Sequence, residues 1–340
     1  MATTQNRPAV TPERIMQFAW GYAAPLIIEA AVRNQVFDQL DAGPKTLEET
    51  ATATGASVRG LRAIMNALVG LELLTKDAGG RYSLAPDAAA FLVSRKPSYF
   101  GGFIRHTSTQ LIPKWLDLAE IVRTGKSKTN VNQENNGAQF FHEFVSDLFP
   151  FSYPVTQVLA TELGLDRAQQ PVRVLDLAAG SGVWGIGLAQ RSRHVQVTAV
   201  DWPGVLDVTR STVARFQLTD RFTFIAGDLG TVDFGKGHNV ATLGHILHSE
   251  GEASGRALIK KTFESLAPGG TIAVQEFLVN DTRTGPPNGL IFAVNMLVAS
   301  DVGDTWSFNE IAGWLREAGF LNARTVDAPG PSPLILANRP

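Results

Sequence analysis

The stretch from Val172 to Gln190, VRVLDLAAGSGVWGIGLAQ, limits the possible folds more than any other part of the chain. It opens as a short apolar run, Val172, Val174, Leu175 and Leu177, punctuated by Arg173 and Asp176. Such a run reads as a strand buried in a parallel sheet. It breaks into Ala178-Ala179-Gly180-Ser181-Gly182 and resumes at helical spacing with Val183, Ile186, Leu188 and Ala189. Strand, small-residue turn and helix is the arrangement that turns backbone N–H groups and a helix N-terminus toward a ligand. Any Cβ in that turn would hold a ligand away from the backbone. A tight strand-to-helix connection also wants glycine for packing, so the turn alone does not name a ligand. Ala178 and Ala179 stand where a dinucleotide fingerprint often has glycine.

Two later features sharpen the reading. Val195 to Val200 is a second strand, and Asp201 ends it, 25 residues after Asp176. An acid at that tip is placed to take ribose hydroxyls. Phe222 to Ala226 is a third strand, ending in Gly227-Asp228-Leu229. Strands then follow at Asn239 to Leu243 and Thr271 to Phe277, with helices at about Glu250 to Leu266, Leu290 to Ala299 and Phe308 to Ala318. Arg324 to Asp327 and Pro333 to Ala337 close the sheet as a hairpin. The alternation predicts an α/β fold, a doubly wound Rossmann-like sheet with an antiparallel edge.

A loop after strand one, an acid after strand two and Gly-Asp after strand three resemble the S-adenosylmethionine site of class I methyltransferases. Gly244-His245-Ile246-Leu247-His248 and Ala267-Pro268-Gly269-Gly270 extend the likeness. Over nearly its whole length the chain resembles the small-molecule O-methyltransferase family of plant phenolic and bacterial natural-product enzymes. The resemblance implies S-adenosyl-L-methionine as cofactor, with Asp176, Gly180, Gly182 and Gly244 among the residues that bind it, Gly180 by a backbone contact at the carboxylate end and Gly244 by a backbone contact. Asp201 would take the ribose, Trp202 would pack beside the adenine, Gly227-Asp228 would reach the adenine amino group, and Leu229 would stack on the ring. His248 matches the family's catalytic base, and Glu276, 28 residues on, matches the glutamate that orients it. Phe308 stands where plant members carry a second glutamate. Phe144, Tyr153, His245, Phe292, Asn295 and Met296 are the candidates for the acceptor pocket; core packing is an equal reading for Phe292, Asn295 and Met296, and the favoured one for most rings of the aromatic run from Gln139 to Tyr153.

The N-terminal part has another character. Thr11-Pro12-Glu13 reads as a helix start, followed by an apolar stripe of Ile15, Phe18, Ala19, Tyr22, Leu26, Ile27 and Ala30 that Pro25 should kink. Thr46 and Glu49 are spaced as a capping box, Ser57 as an N-cap, and Asp77-Ala78-Gly79-Gly80 as a hairpin turn. Helices followed by a hairpin make a winged helix. Residues 1–105 hold 11 Lys/Arg against 9 Asp/Glu, too even a balance for a DNA reader. In the resembling family this domain pairs two copies. The expected divisions are 1–105 for the winged-helix dimerisation domain, 106–165 for a helical linker roofing the acceptor pocket, and 166–340 for the cofactor-binding catalytic domain. Within that linker, Lys126 to Gly137 reads as a mobile loop.

Net charge is −2, 44% of residues are apolar and cysteine is absent. These argue against general attraction to nucleic acid or membrane, and against disulfides and a thiol nucleophile. The N-terminus lacks a signal-peptide core, and no window reaches ~18 uninterrupted apolar residues; a cytoplasmic homodimer is expected. His245, His248 and Glu252 read as a possible metal triad, but Glu252 is better placed as a cap partner of Ser249, so no metal is expected. Methyl transfer to a hydroxyl leads. An S- or N-acceptor on the same scaffold, a relative that does not methylate, and a cofactor-sensing DNA-binding regulator remain as alternatives.

Overall fold

The computed structural model describes residues 10–128, 131, 137, 140–142 and 144–340. Most of the asparagine-rich segment expected as a mobile loop (129–130 and 132–136), together with Ala138, Gln139, Glu143 and residues 1–9, lies outside them. The chain divides into two compact units, the first ending at Leu111 and the second running Ile112–Pro340.

In the first unit, helices Val36–Leu40, Leu47–Thr54 and Val58–Gly70 precede the antiparallel strands β1 (Leu74–Lys76) and β2 (Tyr82–Leu84). The Thr46–Glu49 capping box forms in both directions, and Ser57 accepts from the Gly60 N–H. Phe37, Leu61, Met65, Leu68 and Tyr82 are buried where these elements converge. The apolar N-terminal segment departs from expectation. It is two helices, Glu13–Ala19 and Ala23–Arg33, broken at Trp20–Tyr22 rather than kinked at Pro25. Pro25 falls in the first turn of the second helix, where its missing N–H breaks no intrahelical bond. Pro12 occupies the cap position, with no side-chain cap bond, so Thr11 does not cap.

The second unit is built on a seven-stranded sheet. Its strands are β3 (Val172–Leu177), β4 (Val195–Asp201), β5 (Phe222–Ala226), β6 (His238–Gly244), β7 (Leu266–Gln275), β10 (Leu321–Val326) and β11 (Leu334–Asn338). They lie in the order β10-β11-β7-β6-β3-β4-β5; β11 runs antiparallel to both of its neighbours, β10 and β7, and the other pairs are parallel. A separate short parallel pair joins β8 (Leu278–Val279) to β9 (Trp306–Ser307). Alternate residues of β3 feed opposite faces: Val174 joins one core with Trp184, Ile186 and Phe222, while Leu175 and Leu177 join another with Leu247, Ile259 and Trp314. The strand order reverses between β3 and β6, so the carboxyl ends of β3, β4 and β6 open onto the crevice where α/β sheets bind ligands.

Candidate active site

The turn after β3 is left-handed at Ala178 (φ 52°), Gly180 (φ 56°) and Gly182 (φ 76°), and helix Val183–Arg191 starts directly behind it. Beneath it, Asp176 accepts from the Gly185 N–H (3.0 Å) and the Thr242 hydroxyl (2.7 Å). It is 0% exposed, and burial pushes its carboxyl up to about 7 against the pull of those two bonds. This corrects the expectation of a direct cofactor contact: Asp176 has no surface to offer and instead pins the loop to β6. At the tip of β4, Asp201 accepts from the Gly180 N–H (2.8 Å) and the Trp202 N–H (2.7 Å), and burial holds it at about 6. Gly180 therefore already spends its N–H on Asp201, and its carbonyl accepts from Thr209 Oγ1 (2.7 Å). The Gly227 N–H donates to the Asp201 carbonyl (3.0 Å) and ties the tip of β5 beside that of β4. Asp228 is exposed and accepts from the Gly230 N–H, while the Leu229 carbonyl accepts from Lys261. Trp202 lies beside Phe141, ring centroids 6.2 Å apart, and Gly244 has no room for a Cβ because the Trp184 indole nitrogen occupies that space.

The end of β6 carries the histidines. His248 sits in the first turn of helix Leu247–Ser265 and is held twice by Glu276, one residue beyond β7. The His248 backbone N–H donates to Glu276 Oε1 (3.2 Å), and ring Nδ1 bonds Oε2 (2.7 Å). Glu276 is 1% exposed. Burial pushes its carboxyl up, but the charge and hydrogen bonds of His248 and the field of His245 outweigh this and hold it below the usual range. With Nδ1–H committed to the carboxylate, Nε2 is left as the basic nitrogen. Among the described residues Glu276 is the one carboxylate hydrogen-bonded to His248. Phe308 packs partly buried against the core, and Glu310 closes a capping box with Ser307. The loop before that helix holds His248 by its backbone, through the Asp304 N–H to the His248 carbonyl (2.9 Å). The Ser249–Glu252 capping box expected from the sequence does not form. Gly251 interrupts the helix (φ 73°, ψ 170°), Ser249 donates back to the Ile246 carbonyl, and Glu252 pairs with Arg256.

Residues 16–94 match the O-methyltransferase dimerisation domain, and residues 115–321 match the O-methyltransferase domain. The chain belongs to the O-methyltransferase family. It is a methyltransferase, and S-adenosyl-L-methionine is its cofactor. It is 30% identical to the 3-hydroxy-5-methyl-1-naphthoate 3-O-methyltransferase of Streptomyces sahachiroi, covering 94% of this chain and 92% of that one. It is 29% identical to the tetracenomycin polyketide synthesis 8-O-methyl transferase of Streptomyces glaucescens, over 97% of both. Human N-acetylserotonin methyltransferase shares the fold, with a TM-score of 0.84 at 20% identity over 100% and 99% of the two chains. The loop leaves room for this cofactor: its left-handed turns at Gly180 and Gly182 carry no Cβ, and the Asp201 carboxylate is set at the β4 tip by the Gly180 and Trp202 N–H groups.

The methyltransferase's expected acceptor residues divide. Phe292 stands edge-on to His248 (4.9 Å, 89°), and His245 lies 6.3 Å from His248. Met296 joins a small cluster with Val131 and Ala299, against which Phe140, Phe141 and Phe292 pack, and Phe144 stands edge-on to Phe140 (5.1 Å). Asn295 accepts from the Trp115 indole N–H (3.0 Å). Tyr153 is not brought there; it stacks on Phe149 and donates to Gln190 within the helical layer over the sheet. Sequence reasoning missed Phe277, tilted by 30° against Phe292 at 4.1 Å, and did not single out Phe151, 5.5 Å from His245, within its aromatic run. Phe277 directly follows Glu276, which was its available signal. The metal triad does not assemble: among the described residues no group of three His, Asp or Glu is arranged to hold an ion.

Proposed function

We propose that the enzyme methylates a hydroxyl of a small, flat metabolite with His248 as general base. The observation that carries this reading is the double grip of Glu276 on His248, which fixes both the ring and its tautomer. When bound, the cofactor supplies a methyl group on a sulfonium sulfur, which leaves as a thioether with the electron pair of the broken bond. His248 Nε2 takes the hydroxyl proton as the oxygen forms its bond to the methyl carbon, and Glu276 supports the imidazolium that results. Phe277 and Phe292 present flat apolar walls, which suit an aromatic acceptor and keep water from the reacting oxygen. At the cofactor end, Asp201 would accept from the ribose hydroxyls, Trp202 and Leu229 would flank the adenine, and Asp228 would take its amino group. His245, Asn295, Met296 and Phe144 would shape the acceptor's surroundings. Transfer of labelled methyl to aromatic hydroxyls, abolished in His248→Ala, is the test. A His248→Ala enzyme with wild-type turnover sinks the assignment.

The segment Glu13–Arg33 is long and apolar enough to pass for a membrane span, with a mean hydropathy of 1.3. Its break at Trp20–Tyr22 and its charges Glu13, Arg14, Glu29 and Arg33 favour another use. Ile15, Phe18 and Trp20 are each about two-thirds exposed (68%, 67% and 66%) within the matched dimerisation domain or at its edge. We read this face as the seam of a homodimer, and the helices and β1–β2 hairpin behind it as a winged helix used for pairing. A monomer by light scattering at micromolar concentration would overturn it.

A further inference from the structure

A second imidazole faces the place where His248 works, and its hydrogen bonds fix where its proton sits. His245 follows β6 with a left-handed backbone (φ 58°), an uncommon state for a residue other than glycine. It is held there by its N–H, which donates to the Gln275 carbonyl (2.8 Å). The ring is set among Phe151 (5.5 Å), Phe277 (5.0 Å) and His248 (6.3 Å). Its Nε2 lies 3.1 Å from Ser332 Oγ. Ser332 is 0% exposed, and its carbonyl accepts from Gln275 Nε2 (3.1 Å). A buried hydroxyl needs an acceptor for its proton, and among the described residues His245 Nε2 is the one hydrogen-bonded to it. Ser332 therefore donates, Nε2 accepts, and the ring proton resides on Nδ1. No described residue hydrogen-bonds Nδ1.

Resting on the reading of His248 as base for a hydroxyl, we propose that His245 Nδ1–H binds a second oxygen of the acceptor. The acceptor class is then a planar aromatic hydroxyl compound with a carbonyl or carboxylate on the carbon next to the hydroxyl. Two rings 6.3 Å apart leave room for two oxygens about one hydrogen-bond length, ~3 Å, from each other. In such a compound the hydroxyl proton is held by the neighbouring oxygen. A donor on that oxygen competes for it and frees the hydroxyl proton for His248. Burial pushes the His245 ring down to about 4, so it stays neutral and keeps a single, directed donor.

The test uses a matched pair, 3-hydroxy-2-naphthoate and 2-naphthol, which share rings and hydroxyl and differ in the adjacent carboxylate. Calorimetry on the full chain with S-adenosylhomocysteine reads binding, and labelled cofactor reads transfer. The wild type should bind the naphthoate at least about tenfold more tightly, the scale of one hydrogen bond between a neutral donor and a charged acceptor. His245→Leu should bring the ratio near one. His245→Asn, which tolerates the left-handed backbone and keeps a donor, should restore part of it. Ser332→Ala should lower the ratio without touching the ring, by releasing the tautomer. Melting temperature and S-adenosylhomocysteine affinity report folding of each variant. Equal wild-type affinities, or a ratio unchanged in both His245→Leu and Ser332→Ala, overturn the proposal. Preferential binding of the naphthoate without methyl transfer supports His245 as a binding donor and counts against the hydroxyl-transfer reading instead.

Discussion

The two ends of the crevice, one proposed for the cofactor and one for the acceptor, are built in different ways. At the cofactor end the groups come from consecutive strand tips, β3, β4 and β5, and are fixed by backbone hydrogen bonds within a few residues of each tip. At the acceptor end the walls come from Phe151, His245, His248, Phe277 and Phe292, on a helix, after two strands and on an inserted helix. The first end is local geometry and serves one cofactor. The second is an assembly of side chains from distant positions, where a single ring can be exchanged without disturbing the sheet. A family that keeps its cofactor and changes its acceptor needs this division.

Two substitutions should separate the ends most sharply. On the proposed ribose contact, Asp201→Ala removes the acceptor of two hydroxyls, each worth about 1.5–3 kcal/mol with a charged partner, so the dissociation constant for S-adenosylmethionine should rise about 10²–10⁴-fold. Turnover at saturating cofactor should suffer far less. His248→Ala should do the reverse: turnover falls about 10²–10⁴-fold through loss of the general base, with little change in cofactor affinity. Calorimetry and steady-state rates on both variants check the pair. If either variant moves both quantities equally, the ends are not independent.

The sheet, the turn with Gly180 and Gly182, and the acids at the tips of β3 and β4 were legible because strand periodicity and left-handed turns leave marks within a few residues. Asp176 shows the limit of that legibility. A tip acid facing a ligand and one pinning a loop look alike in sequence, and only the bonds from Gly185 and Thr242 tell them apart. Phe151 and Phe277 were illegible as site residues because ring-to-ring contacts follow no spacing. With Phe308 in the place of a second glutamate, Glu276 uses both oxygens on His248. This sharpens a smaller prediction. Glu276→Gln keeps the shape but cannot accept from both the backbone N–H and Nδ1–H. The loss of one hydrogen bond to a charged group, about 1.5–3 kcal/mol, should lower turnover roughly 10- to 100-fold with cofactor affinity unchanged. Single-turnover rates against calorimetry decide it, and an unchanged rate would mean that the ring is held by its surroundings alone.

The smallest expected effect lies at the cofactor end and is a pH dependence. Burial raises the Asp201 carboxyl to about 6, overriding the bonds from Gly180 and Trp202. Ribose hydroxyls donate to the ionised form, so binding below that value must first remove a proton. The sign follows: affinity for S-adenosylmethionine should be flat above pH 7 and fall as pH drops through about 6. At pH 5, one unit below the titration, the loss should be about tenfold. Asp201→Asn cannot titrate, so its affinity should be weaker throughout and lack this fall. The acceptor end gives the contrast. His245, already neutral because burial pushes it down to about 4, has no charge to change over the same interval. Calorimetric titrations at pH 5, 6, 7 and 8 on wild type and Asp201→Asn compare the curves. A wild-type cofactor affinity flat across that range, or an Asn variant with the same fall, would place the ribose on a group other than Asp201.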